Sequence, residues 1–202
     1  MVQDVVQEHV GNPIEAGIKN EREKWIGVYI AILAVILAIC GMGGSNATKE
    51  ATLKNIETAN TWAFFQAKNI RRHVLRMQAE ELELLLAGEP SLPEAAKTAI
   101  ATKIQQYREQ EKRLSSEPET GEGLDELFTR GKSLEEERDV AMKRDPYFDF
   151  GQAVLQIAIV VASVTIIAGG TFLLIVSGVL GALGALLTFN GFTLMFAMPF
   201  LG

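Results

Sequence analysis

The amino-acid sequence predicts an all-α integral membrane protein, with three transmembrane helices and a long helical hairpin or coiled-coil module between the first and second. Three observations carry that prediction. Residues 150–201 contain no Asp, Glu, Lys, Arg or His, an uncharged run long enough for two helical spans at about 20 apolar residues each. Residues 25–42, WIGVYIAILAVILAICGM, supply a third uncharged stretch. Between them, from residue 53 to 84, apolar or small side chains recur at alternating intervals of three and four, the spacing of a helix that pairs lengthwise with another.

The bulk composition of 202 residues, 48% of them hydrophobic, conceals this segregation. All 19 Lys and Arg lie between Lys19 and Arg144. A formal net charge of −6, with both signs interspersed and no basic patch interleaved with aromatics, excludes nucleic acid as an expected partner. Cys40 is the single cysteine, which excludes an intrachain disulfide. Inside an apolar run it reads as a small buried hydrophobe.

Residues 1–24 form a polar arm broken by Gly11, Asn12 and Pro13, with a short helix expected from Pro13 onward. They lack the basic start and apolar core of a signal peptide. Residues 25–44 are the first span. Lys19, Arg22 and Lys24 stop at its edge, and Trp25 and Tyr29 suit a membrane–water interface. Gly43-Gly44-Ser45 closes it, and Asn46 is expected to cap a new helix.

Residues 45–145 read as a water-facing helical module. Its seam runs through Leu53, Ile56, Asn60, Ala63, Ala67, Ile70, Val74, Met77, Glu81 and Leu84. A polar Asn60 in such a seam fixes register at a cost in stability, and Ala63 and Ala67 allow a partner backbone to come close. Trp62, Phe64 and Phe65 widen the stripe, so more than one packing neighbour is expected. Gly88-Glu89-Pro90 ends this helix. Ser91-Leu92-Pro93-Glu94 has the form of a capping box and opens an antiparallel return helix with an apolar stripe at Ala96, Ile100, Ile104, Tyr107 and Leu114. After the polar loop 115–123, a last helical region carries Leu124, Leu127, Phe128 and Leu134, with Gly131 as a weak point and Ser133 to Glu136 as a second capping box. Asp145-Pro146 then reads as cap and first-turn proline of the second span, residues 146–168. Gly169-Gly170 makes the turn to the third span, residues 172–198, with Asn190-Gly191 as a candidate end.

Two features of the spans invite interpretation. Asp149, Gln152, Gln156 and Ser163 share one helical face. Because polar groups in hydrocarbon are costly unless satisfied, that face is expected to point into a bundle or toward water. One reading makes it the lining of a permeation path; the other has the glutamines hydrogen-bonding between helices. In the third span Ser177, Gly181 and Ala185, with Gly178 and Ala182 on the adjacent row, form small-residue rows that let two backbones touch. Their partner is a span of the same chain or a copy of itself.

No constellation suggests catalysis, a cofactor or a metal. His9 and His73 are remote from each other, with no cysteine or carboxylate at metal-ligand spacing. Gly121-Glu122-Gly123 lacks the Lys-Ser/Thr of a phosphate loop. Counting Lys and Arg near the span ends gives seven for the module (Lys49, Lys54, Arg130, Lys132, Arg138, Lys143, Arg144) and three for the arm, which favours a cytoplasmic module.

The string EREKWIGVYIAILAVILAICGMGGSNATKEATLKNIETANTWAFFQAKNIRR, residues 21–72, resembles bacterial membrane proteins catalogued as domain of unknown function 4337. PETGEG (118–123), RDPYFDF (144–150) and SGVLGALGALLTFNGF (177–192) are similar to later blocks of that family. The resemblance implies a helical protein of the bacterial inner membrane with no assigned activity. The Asn60 seam and the small-residue row of the third span make the expected function a non-catalytic, membrane-anchored scaffold or assembly subunit that self-associates. Its expected partners are membrane lipid, copies of itself and, as a further option, another membrane protein. The alternative is an oligomeric channel or transport component built on the polar strip.

Overall fold

The structure is a computed structural model that describes residues 13–197, with side chains from residue 21. Residues 1–12 of the polar arm, residue 198 of the third expected span and residues 199–202 after it lie outside the described residues. Those described form four α-helices and no strand: α1 (Pro13–Gly88), α2 (Glu94–Ser115), α3 (Leu124–Ala168) and α4 (Thr171–Thr193). Three of them, α1, α3 and α4, are long and apolar enough to cross a membrane. The chain divides into two compact units. One is discontinuous in sequence, Met1–Lys49 with Ala141–Gly202; the other, Glu50–Val140, is inserted between its halves.

In the discontinuous unit three helices pack along seven-residue repeats. Ile26, Leu33, Cys40 and Ala47 are buried at intervals of seven on α1, and Ala141, Phe148, Leu155 and Ala162 at intervals of seven on α3. From α4 come Ser177, Gly181, Gly184, Thr188 and Gly191. A strict period of seven keeps one face turned to the same neighbour along its whole length. Leu33, Cys40, Phe148, Leu155 and Ala158 form the core, with Tyr29, Ile36 and Leu180 packed on it. The buried Cys40 thiol donates to the Phe148 carbonyl at 3.2 Å. The turn between α3 and α4 uses Gly169 at φ +69°, a conformation that costs a residue with a Cβ. Arg22 donates to the Gly169 carbonyl at 3.0 Å, so the start of α1 and this turn share one end of the unit.

In the inserted unit α1 is flanked by α2 and α3, both running antiparallel to it. Trp62, Phe65 and Phe128 form an aromatic cluster, with centroids of Trp62 5.5 Å from Phe65 and 5.6 Å from Phe128. Edge-on contacts at such distances are favourable beyond their buried area. The Trp62 indole N–H donates to Glu135 Oε1 at 3.0 Å. Ion pairs join the helices: Lys54 to Glu137 at 2.7 Å, Arg76 to Glu111 at 3.2 Å and Arg108 to Glu83 at 3.1 Å. Ala96, Ile100, Ile104, Tyr107 and Leu114 are all half-buried along α2.

Four expected helix boundaries are corrected. First, Gly43-Gly44 does not end the first helix, and Asn46 caps nothing, because α1 runs unbroken past them. These glycines make room for a neighbour: a Cβ on Gly43 would lie 2.7 Å from Phe148 Cζ. Second, Asp145-Pro146 opens no helix, since Pro146 lies inside α3. An interior proline costs about 3 kcal/mol, and the burial of Tyr147 and Phe148 just after it holds the helix in line. Asp145 Oδ1 faces Thr48 Oγ1 at 2.8 Å rather than capping.

Third, Ser91 forms no capping box. Pro93 occupies the N-cap without a side-chain bond, and the residue before a proline is driven out of the helical region. Glu94 pairs with Lys97 at 2.9 Å instead. Fourth, Ser133 starts no helix. It lies within α3, and Gly131 is no weak point but the place where Trp62 fits, its ring 3.0 Å from where a Cβ would stand.

Candidate functional site

The seam read from the sequence is present as a helical stripe, but the inserted unit does not use it. Leu53, Ile56, Ile70, Val74, Met77 and Leu84 are all exposed, Leu84 at 74% and Met77 at 67%. Asn60, Ala63, Ala67 and Glu81 between them are exposed too. The face that packs against α2 and α3 is a second stripe at the same spacing: Lys54, Thr58, Thr61, Phe65, Lys68, Arg72, Leu75, Ala79, Leu82 and Leu86. At about 100° per residue the two stripes lie roughly 150° apart around α1. Half of the inner stripe is polar, so a search for apolar periodicity passes over it. The signal that could have found it is the repeat of three and four itself, carried by Thr, Ala and long side chains. Lys68 illustrates why such residues can go inside: its ammonium donates to the Glu122 carbonyl and sits 5.1 Å over the Phe64 ring.

The small residues of α4 divide between two environments. Ser177 and Gly181 are buried within the unit. Ser177 Oγ donates to the Ala158 carbonyl at 2.7 Å, and the Tyr29 hydroxyl donates to the Ser177 carbonyl at 2.9 Å. A Cβ at Gly181 would meet Leu33 at 2.8 Å. This row therefore joins α4 to α1 and α3 of its own chain. Gly178 and Ala182, one residue on, are exposed, and Ala185 is half-buried. Asn190 does not end the helix at once: its side chain accepts from Phe196 N at 2.9 Å and donates to Phe196 O at 2.8 Å. It thereby ties down the chain that follows Thr193.

Of the polar strip, Asp149, Gln156 and Ser163 are exposed and Gln152 is half-buried. The strip thus faces outward from the three-helix bundle of its own chain. Ser163 satisfies itself by donating to the Ile159 carbonyl at 2.8 Å. Gln152 Oε1 lies beside Gly41, 3.8 Å from where its Cβ would be.

A family model described as a domain of unknown function (DUF4337) matches residues 22–194, which takes in every helix from the first apolar stretch to the end of α4. The chain belongs to the DUF4337 family. No curated protein and no solved structure matches it.

In this DUF4337 member the strongest electrostatics join elements of the inserted unit. Lys132 at 2.8 Å, with the Trp62 indole at 3.0 Å, holds the Glu135 carboxyl below the usual range. Lys54 does the same for Glu137 and is itself pushed up. Arg113 at 2.6 Å lowers Glu117, and the Ser116 hydroxyl at 2.8 Å lowers Glu126. His73 is exposed on α1, and His9 lies outside the described residues. Among the described residues no three His, Cys, Asp or Glu side chains gather as a metal site would require. What the arrangement does chemically is fasten helices to one another and leave apolar stripes outside.

Proposed function

We propose that this protein is a non-catalytic, membrane-anchored scaffold or assembly subunit that associates with copies of itself. In this reading α1, α3 and α4 cross a bacterial cytoplasmic membrane, and the inserted unit stands in water on the cytoplasmic side. The observation that carries it is that both units keep continuous apolar faces outward after their own cores are filled. In the discontinuous unit these include Trp25, Ile32, Val35, Ile39 and Met42 on α1, Val160 and Ile167 on α3, and Phe172, Val179 and Leu186 on α4. Such surface on every side suits lipid tails, and patches of this size are rare on water-soluble monomers.

The side assignment is supported by the seven Lys and Arg flanking the apolar helices from the inserted unit, against three before Trp25. The Arg22 contact with Gly169 supports three crossings, which bring the start of α1 and the turn between α3 and α4 to one side, whichever side that is. Membrane pellets washed with carbonate should retain the protein, and crosslinking in those membranes should yield multimers. Release into the wash, or only monomer on crosslinking, overturns the reading.

A second reading, an oligomeric conduit, draws on the outward strip of Asp149, Gln152 and Gln156, since polar side chains on an apolar exterior are costly in hydrocarbon unless a partner or water meets them. Liposomes containing the protein should then pass small ions, and Gln152→Leu with Gln156→Leu should alter that flux. Tight liposomes with intact oligomers remove this alternative.

A further inference from the structure

We propose that the exposed stripe of α1 between residues 53 and 84 is occupied by the same stripe of a second copy, in parallel and residue-for-residue register. The proposal rests on the self-association put forward above and names the surface, the orientation and the register.

Four features of the stripe select this occupant. Its apolar side chains recur at three and four, the spacing that lets one helix interlock with another along its length, and the chain's own α2 and α3 leave them exposed. The stripe is about 46 Å long at 1.5 Å per residue and about 10 Å wide. Its projection of roughly 460 Å² is more than half of the ~800 Å² that each partner of a stable complex contributes. Phe64 and Leu85 beside it are exposed as well and add to that area.

Register is selected by the polar positions. In parallel register Asn60 meets Asn60, and two amides can both donate and accept. Ala63 meets Ala63 and Ala67 meets Ala67, so the backbones come nearest over this stretch. Antiparallel pairing about the same centre would set Asn60 against Met77 and Glu81 against Ile56, burying each polar group on an apolar one. The flanks agree with the parallel choice. Gln66 comes beside Arg71, His73 beside Gln78, Thr52 beside Glu57 and Glu80 beside Leu85 of the other copy, so no flanking pair carries like charges. The single mismatch is Glu81 opposite Glu81, near the far end of the stripe. Two chains threaded in the same sense through one membrane also meet in parallel.

The test uses the full chain in native membranes, with Cys40→Ala as background. Ala63→Cys and Ala67→Cys, introduced singly, should each give a disulfide-linked dimer on mild oxidation, because facing positions of a parallel pair fall within the Cα separation a disulfide allows. Thr102→Cys, exposed on α2, should give none. Ile70→Glu with Met77→Glu, both at exposed positions, should leave helicity unchanged and raise the dimer dissociation constant on the order of a hundredfold, a factor of about ten for each substituted layer of the seam.

If the detergent-extracted wild-type particle is a monomer by native mass, both this proposal and the self-associating scaffold are overturned. If the particle is multimeric but neither alanine position crosslinks and the double glutamate variant stays assembled, the stripe is overturned while self-association stands. Crosslinking of Ala67→Cys to Ile70→Cys in a mixture of the two variants, without homodimers of either, overturns the parallel register.

Discussion

At the scale of single residues, glycine is the residue type whose meaning changes most between sequence and structure. Gly43 lies in an unbroken helix, under the ring of Phe148, where an added methyl would stand 2.7 Å from Cζ. Gly27, sixteen residues earlier on the same helix, has nothing within 4 Å of the equivalent point. Gly43→Ala should therefore destabilise the discontinuous unit by about 1–3 kcal/mol through overpacking. Gly27→Ala should be neutral or stabilising by up to about 1 kcal/mol, since alanine is the better helix former. Thermal unfolding in mild detergent distinguishes the two; equal shifts would contradict the packing role given to Gly43. A local rule could not have separated these glycines, because the difference lies in a side chain more than a hundred positions away. The same holds for Pro146, which looks like a helix start until Tyr147 and Phe148 are seen to be buried.

At the scale of elements, the apolar stripe of α2 was legible because its apolar side chains are the half-buried ones, and the three membrane-length helices because uncharged length alone marks them. Along α1 between residues 53 and 84 burial and hydropathy do not coincide. The legible stripe is the outer one, and the inner one is built on Thr58, Thr61, Lys68 and Arg72: Thr61 and Arg72 bond to Glu57 and Asn69 of their own helix, and Lys68 reaches the Glu122 carbonyl while its carbon stem packs. Helicity could be read from spacing alone; the direction of each face could not, since two stripes share the same period. The parallel pairing makes a separate prediction here. Glu81→Leu replaces the one like-charged contact across the seam with an apolar one, so it should tighten association by on the order of tenfold. Sedimentation of the detergent-solubilised particle measures this, and an unchanged association constant would place Glu81 away from its counterpart.

At the scale of the whole molecule, the two units are held by different forces and should respond differently to acid. The carboxylates of Glu117, Glu126, Glu135 and Glu137 all have folded pKa values below the ordinary range, and all belong to the inserted unit. A depressed carboxylate stabilises the fold above its unfolded value, about 4.3, and that contribution disappears as pH falls through the lower, folded value. Between pH 7 and 5 the inserted unit should therefore hold. Below about pH 4 its amides should exchange faster, while those of the apolar three-helix bundle stay protected. Hydrogen exchange across that range checks it, and early loosening of the bundle would contradict the division. The order of synthesis adds a consequence. Tyr29 and Arg22 bond to Ser177 and Gly169, yet the 91 residues from Glu50 to Val140 emerge in between. At about 5–20 residues per second that is roughly 5–18 s of elongation. The first apolar segment must spend at least that interval without α3 and α4, the helices on which it packs in the finished chain.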